Sequence, residues 1–248
     1  MDKIVLVTGG SRGIGGATAL LAARHGWAVA VNYAHGAEAA DGVVRQIMDA
    51  GGRAMAVQAD VAVEAQVLAM FEAVDRRLGR LTALVNNAGV VDRPAQVAEM
   101  TGERLRRMFD INVLGSFYCA REAVLRMSTK RGGAGGSIVN VSSAAARLGA
   151  AHQYVDYAAA KGAVDVLTLG LAREVAPEGI RVNAVRPGLI DTGIHASGGL
   201  PDRVRDLAHQ VPMGRGGTAA EVAEAIVWLM SGASPYTTAS YLEIAGGR

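Results

Sequence analysis

The sequence predicts a single doubly wound α/β domain, a mostly parallel seven-stranded sheet with helices on both faces. Three observations predict it. Short β-branched runs alternate with longer helical patterns along all 248 residues, the spacing of βαβ units. The strand runs are apolar at nearly every position, as strands covered on both faces must be. No linker, composition break or repeat beyond the βα alternation divides residues 1–248.

The elements follow in order. "KIVLV" reads as a strand and Gly13 to His25 as a helix; "AVAVNY" and Glu38 to Ala50 form the next pair. "AMAVQ" precedes a helix over "EAQVLAMFEAVDRRLG", and "ALVN" precedes one long helical pattern from Glu103 to Met127. "SIVNV" leads to a helix from Tyr154 to Ala176. "IRVNAV" is a sixth strand, Thr218 and Glu221 form a T-x-x-E capping box opening a helix to Met230, and "YLEIA" is the last strand. Residues 193–217, with their Gly and Pro, are the least regular stretch and read as a substrate lid.

Composition narrows the function. Half the residues are hydrophobic and only 4% aromatic, so the core is built from Ala, Val, Leu and Ile. A net charge of +2 with no basic block gives nucleic-acid binding no electrostatic support. The one cysteine, Cys119, has no intrachain disulfide partner and lies in the apolar run "SFYCAREAV", where it reads as a small buried hydrophobe. No apolar run reaches transmembrane length, so no membrane partner is expected and the cytoplasm is the default location. No metal site is assigned.

"VTGGSRGIGG", residues 7–16, follows the first strand and opens the first helix. Glycines there let the backbone turn tightly and approach a pyrophosphate, with helix N-terminal N–H groups facing the anion. The spacing, Thr8-Gly9-x-x-x-Gly13-x-Gly15, differs from the common G-x-G-x-x-G and resembles the glycine motif of the short-chain dehydrogenase/reductase family. Further motifs carry the same resemblance in the same order: Asp60-Val61 after strand three, "NNAG" at 86–89, Asn112, "VSS" ending strand five, Tyr157-x-x-x-Lys161, and "PGLIDT" at 187–192. Together they span residues 3 to about 245.

Physics and resemblance meet at "QYVDYAAAKGA", residues 153–163. A phenol with a pKa near ~10 is a weak base at neutral pH. An ammonium at ~4 Å and an effective dielectric of ~20 attracts a phenolate by about 4 kcal/mol, roughly three pKa units. Tyr157 is one helical turn from Lys161, whereas Tyr154 is about 10 Å from it along the axis. Tyr157 is therefore the expected catalytic acid/base, and Tyr154 a pocket wall or helix-start packing residue.

The remaining roles are implied by the resemblance. Ser143, fourteen residues before Tyr157, orients the substrate oxygen, with Ser142 the alternative because adjacent strand residues face opposite ways. Asn112 holds a helix distortion and a water leading to the lysine. Cofactor contacts fall on Gly9, Ser11, Arg12, Gly13, Ile14 and Gly15 of the glycine turn. They continue through Asn32 and Tyr33 after strand two, Asp60 and Val61, and Asn87, Ala88 and Gly89. Tyr157 and Lys161 contribute as well, as do Pro187, Gly188, Ile190 and Thr192 around the nicotinamide. Val91, Asp92, Ala144, Tyr154 and residues 193–212 are candidates for the substrate pocket, with His152 another polar group nearby.

The expected activity is hydride transfer between NADP(H) and a ketone, 3-oxoacyl or sugar/polyol-type substrate. No acid stands at the end of strand two to bond a ribose 2′-OH or repel a 2′-phosphate, and Arg12 offers a guanidinium; NAD(H) stays possible. The rival reading is a nucleotide-binding sensor or scaffold without turnover. Segments 103–127 and 154–176 are Ala- and Leu-rich beyond one stripe, so a homotetramer is expected. Ala239 and Ala245 stand where many family members carry Gly and Asp, a departure at a usual subunit contact.

Overall fold

A computed structural model describes residues 3–248. Its main sheet comprises β1 (Ile4–Val7), β2 (Ala28–Tyr33), β3 (Ala54–Gln58), β4 (Ala83–Asn86), β5 (Gly136–Val141), β6 (Ile180–Pro187) and β9 (Tyr241–Ile244), in the spatial order 3-2-1-4-5-6-9. All six neighbouring pairs are parallel. The long helices between them are α1 (Gly13–Arg24), α2 (Ala37–Asp49), α3 (Glu64–Arg77), α4 (Gly102–Phe109), α5 (Gly115–Met127), α7 (Val155–Val175) and α10 (Ala219–Met230).

The alternation of side chains along β1 explains why its run is apolar throughout. Val5 and Val7 enter a core that also holds Ala19, Ala22, Val43 and Ile226 from α1, α2 and α10. Ile4 and Leu6 enter the opposite core, with Met70, Phe71, Ala123 and Ala172 from α3, α5 and α7. Cys119 is fully buried in that second core, and burial pushes its thiol up to about 12. Among β1's neighbours, β2 leads outward to β3, while β4 begins the run the other way. This reversal opens a crevice beyond the strand ends, where doubly wound sheets bind ligands.

The capping box forms as predicted: Thr218 Oγ1 accepts from Glu221 N at 3.2 Å, and the Glu221 carboxylate accepts from Thr218 N at 2.8 Å. Hydrogen bonds from Arg215 hold that carboxylate well down, to about 2.

Two regions refine the expected elements. The helical pattern over 103–127 is two helices, α4 and α5, joined at Asp110–Leu114 by a π-helical turn that contains Asn112, where a helix distortion was expected. Within the irregular stretch 193–217 lie α8 (Ile194–Ser197) and α9 (Arg203–Leu207). Their ends are tied together by a two-residue ribbon in which β7 (Ile190–Asp191) pairs with β8 (Gly217–Thr218). A short α6 (Ala145–Leu148) also precedes α7.

Candidate active site

The cleft lies beyond the carboxyl ends of β1, β4, β5 and β6 and encloses about 760 Å³. One wall is backbone. Thr8 Oγ1 accepts from the N–H groups of Asn87 and Ala88 at 2.9 and 3.0 Å, and Asn87 Nδ2 donates back to Thr8 O at 2.8 Å. The glycine turn is thus clamped to the end of β4. A Cβ on Gly15 would collide with the Asn87 amide nitrogen and the Gly9 carbonyl, so only glycine allows α1 to start this close.

Gly9, Ser11, Arg12, Gly13 and Ile14 line this wall. Asn87, Ala88 and Gly89 continue it, and Pro187, Gly188, Ile190 and Thr192 face the cleft from beyond β6. The turn presents N–H groups at the N-terminus of a twelve-residue helix, where an anionic group is favoured. These residues fit a dinucleotide.

Other expected contacts are placed elsewhere. Gly15 does not line the cleft and serves the packing just described. Asn32 is buried, with Oδ1 accepting from Gly9 N at 3.1 Å and Nδ2 donating to Ala59 O at 3.0 Å, so it braces the glycine turn from beneath. Tyr33 packs on the first core. Asp60 Oδ1 accepts from Ala62 N at 2.9 Å, and Val61 is buried in the second core. The residue reaching the cleft after β2 is His35, which the sequence reasoning missed. The guanidinium of Arg12 lies over Gly36 beside it, 2.7 Å from where a Cβ would stand.

The floor is Ser143, Tyr157 and Lys161. Both serines line the cleft. Ser142 is buried and its Oγ donates to Lys161 O at 3.3 Å, whereas Ser143 Oγ accepts from Ala145 N at 3.1 Å. Lys161 Nζ donates to Val141 O at 2.7 Å and stands 5.7 Å from the centre of the Tyr157 ring. Burial lowers the Lys161 ammonium to about 8, with Asp165 opposing the shift.

The expected depression of the phenol by Lys161 is not what this arrangement produces. Burial dominates and raises Tyr157 above the ordinary phenol value, partly offset by the Ser143 hydrogen bond.

Asn112 does not line the cleft but sits directly behind it, in the π-helical turn. Its Oδ1 accepts from Val90 N at 3.1 Å, and its Nδ2 donates to Val90 O at 3.1 Å and Met108 O at 3.0 Å. A Cβ on Gly89 would lie 2.6 Å from its Oδ1 and 3.5 Å from Lys161 Nζ, which places the amide, the glycine and the amine in one cluster.

The start of α7 is pinned by a buried pair. Arg104 Nε and Nη2 donate to the two oxygens of Asp156 at 2.8 and 3.2 Å, and Asp156 Oδ1 also accepts from Tyr157 N at 2.9 Å.

Among the pocket candidates, Val91, Ala144 and Tyr154 line the cleft; Asp92 and His152 do not. From 193–212, Ile194, His195, Ser197 and Arg203 do. Gln153 and Arg248 also line it and were missed. Arg248 carries no local sequence signal, because only the path of the chain beyond β9 brings it there.

Comparison with known proteins agrees with this geometry. A family model described as enoyl-(acyl carrier protein) reductase matches residues 9–248. An uncharacterized oxidoreductase, YgfF, of Escherichia coli (strain K12) is 56% identical over 99% of both chains. The cis-4-hydroxycyclohexanecarboxylate dehydrogenase of Sinomonas cyclohexanicum is 40% identical over 99% of this chain and 96% of its own. A crystal structure of a short-chain type dehydrogenase/reductase from Mycobacterium marinum superposes with a TM-score of 0.93 at 35% identity, covering 99% of this chain and 94% of that one. With the clamped glycine turn and the Ser143–Tyr157–Lys161 floor, these likenesses establish that the chain belongs to the short-chain dehydrogenase/reductase family and is an NAD(P)-dependent oxidoreductase.

Proposed function

We propose that the protein interconverts a ketone and a secondary alcohol, with NADP(H) as preferred cofactor and Tyr157 as the proton-exchanging residue. The observation that carries this is the Tyr157 phenol lining the cleft with Ser143 and Lys161, the Lys161 ammonium 5.7 Å from the centre of its ring. The nicotinamide supplies the hydride-carrying carbon when bound. In the reducing direction Tyr157 gives its proton to the carbonyl oxygen as negative charge develops there, and Ser143 donates a hydrogen bond to the same oxygen. Lys161 is held by Val141 O with its ammonium 5.7 Å from the centre of the Tyr157 ring, one turn along the same helix. Asn112 fixes the backbone of Val90 and Gly89 around it. In the oxidising direction the same groups act in reverse. One relative's name, which specifies a ring secondary alcohol, supports the reaction class.

The NADP preference rests on the far end of the glycine wall. The end of β2 carries no carboxylate, and Arg12 and His35 both reach the cleft there. A guanidinium can bond a 2′-phosphate through two N–H groups. Residues 193–217, anchored at both ends by the β7–β8 ribbon, are read as the lid over the substrate.

For the homotetramer, Leu105, Phe109, Leu114, Phe117, Leu125 and Val166 are exposed on α4, the π-helical turn, α5 and α7. An apolar face of this kind supports helix pairing between copies across a two-fold axis. A monomeric mass by light scattering at micromolar concentration contradicts it.

The experiment for the activity is absorbance at the nicotinamide band with a panel of ketones, 3-oxoacyl thioesters and sugars, run with both cofactors. Turnover with a higher kcat/KM for NADPH is the expected result. No turnover on any member, or preference for NADH, overturns the corresponding part.

A further inference from the structure

We propose that the substrate is an organic anion, a ketone or secondary alcohol bearing a carboxylate several bonds from the reacting carbon, with that carboxylate seated on Arg203 and Arg248. The proposal rests on the oxidoreductase reading of the same cleft and adds the substrate's charge to it.

Arg203 opens α9 and is half-buried at the cleft. Its Cζ stands 5.1 Å from the centre of the Tyr154 ring, and its Nη2 donates to Gln153 Oε1 at 2.7 Å. Both partners are neutral. Among the described residues no carboxylate lies within ion-pairing distance of it, whereas Arg205, two positions on, pairs with Asp202 and Asp206. Arg248, also half-buried, lines the same region, and its carbonyl oxygen accepts from Arg147 Nη2 at 2.9 Å.

The two arginines repel each other, and Arg203 in turn repels a positive charge on His195. Burial and Arg248 both push the Arg203 guanidinium down, with Tyr154 opposing them. Two guanidinium groups and the His195 ring thus line one partly desolvated cleft, with Asp191 acting on the ring and, among the described residues, no carboxylate paired with Arg203. A bound anion relieves that repulsion, and a guanidinium fork matches a carboxylate's two oxygens.

The position sets the substrate's reach. Tyr154 precedes Tyr157 by one helical turn, about 5–6 Å between Cβ atoms. An anion held beside Tyr154 therefore belongs to a different part of the substrate from the oxygen at Tyr157. Arg12 and His35 lie on the wall built by the glycine turn and the end of β2, so the cleft carries positive charge at two separate places.

The test uses the full-length enzyme, NADPH, and matched pairs: 4-oxopentanoate and 5-oxohexanoate, each against its methyl ester. We expect the acids to be favoured in kcat/KM by about 10–100-fold, the range of a charged hydrogen bond. Arg203→Gln is expected to remove that preference by lowering the acids' kcat/KM by about tenfold or more beyond any change in the esters', and Arg203→Lys to restore part of it. Should Arg203→Gln fail to fold, Arg248→Gln and the wild-type acid-to-ester ratio carry the test. Equal use of acid and ester by the wild type, or an equal fall for both in the variant, overturns the proposal. Better use of hydroxyacetone phosphate than of every oxo acid overturns the carboxylate assignment in favour of a phosphate. Turnover of neutral ketones alone defeats the anion seat and leaves the oxidoreductase reading standing, whereas no turnover of any carbonyl compound counts against both.

Discussion

The two walls of the cleft are built from different material. On the glycine-turn side, backbone faces backbone: Thr8, Gly9 and Asn87 are tied across two strands, and the chain leaves no room for a side chain at Gly15. On the other side, the cleft is walled by side chains on irregular segments, among them Gln153, Tyr154, His195 and Arg203. There the loop before α7 holds two non-glycine residues in the left-handed region, Ala150 at φ 47° and His152 at φ 62°. A wall of backbone N–H groups suits one kind of ligand and tolerates little change. A wall of side chains on short helices can be redecorated without moving the sheet, which is how one fold serves many substrates.

The comparison can be broken where the walls meet. Arg104→Met leaves the Asp156 carboxylate, whose side chain is 0% exposed, without its cation. The expected loss of stability is about 3–5 kcal/mol, read by urea unfolding. A loss under about 1 kcal/mol would mean that α7 does not depend on this pair.

Glycine substitutions sharpen the contrast. Gly15→Ala meets backbone and is expected to cost about 3 kcal/mol, whereas Gly193→Ala, with nothing within 4 Å of its Cβ position, is expected to be near neutral. Similar thermal midpoints for the two variants would erase the distinction between the walls.

Arg12→Ala tests the cofactor end of the rigid wall. NADPH binding is expected to weaken by about 1.5–3 kcal/mol, with NADH barely affected, by calorimetric titration. Equal weakening of both would show that Arg12 does not read the 2′-phosphate.

The smallest effect concerns the family departure near the C-terminus. Ala239 sits at φ 56°, in the left-handed region that favours glycine. Ala239→Gly is expected to stabilise the protein by about 1 kcal/mol in thermal unfolding. A destabilised variant would show that the methyl group's packing against the second core outweighs the strain.

These same differences explain what the sequence could disclose. The sheet was readable because burial on both faces makes every strand position apolar, and the glycine turn because its spacing reports a backbone constraint. The assignment of Tyr157 over Tyr154 followed from spacing along one helix, whereas that of Ser143 over Ser142 came from the family resemblance, since strand alternation says only that the two face opposite ways. Position at the end of β2 does not say which way a side chain turns: Asn32 turns inward to hold Gly9, and Tyr33 packs on the first core. The break at Asp110–Leu114 left no trace in the apolar pattern, since a π-helical turn shifts the register of one helix without interrupting its burial. Arg248 was invisible because its place depends on the whole fold.

The central claim is that Tyr157 moves the proton and has little part in holding the dinucleotide. Its most direct test is Tyr157→Phe, assayed for carbonyl reduction and, separately, for NADPH affinity by fluorescence. The account predicts that turnover falls by at least about 10²-fold, the low end for a positioned acid, while the cofactor Kd stays within a few fold. Substantial turnover by the phenylalanine variant, with the fold intact, would contradict it.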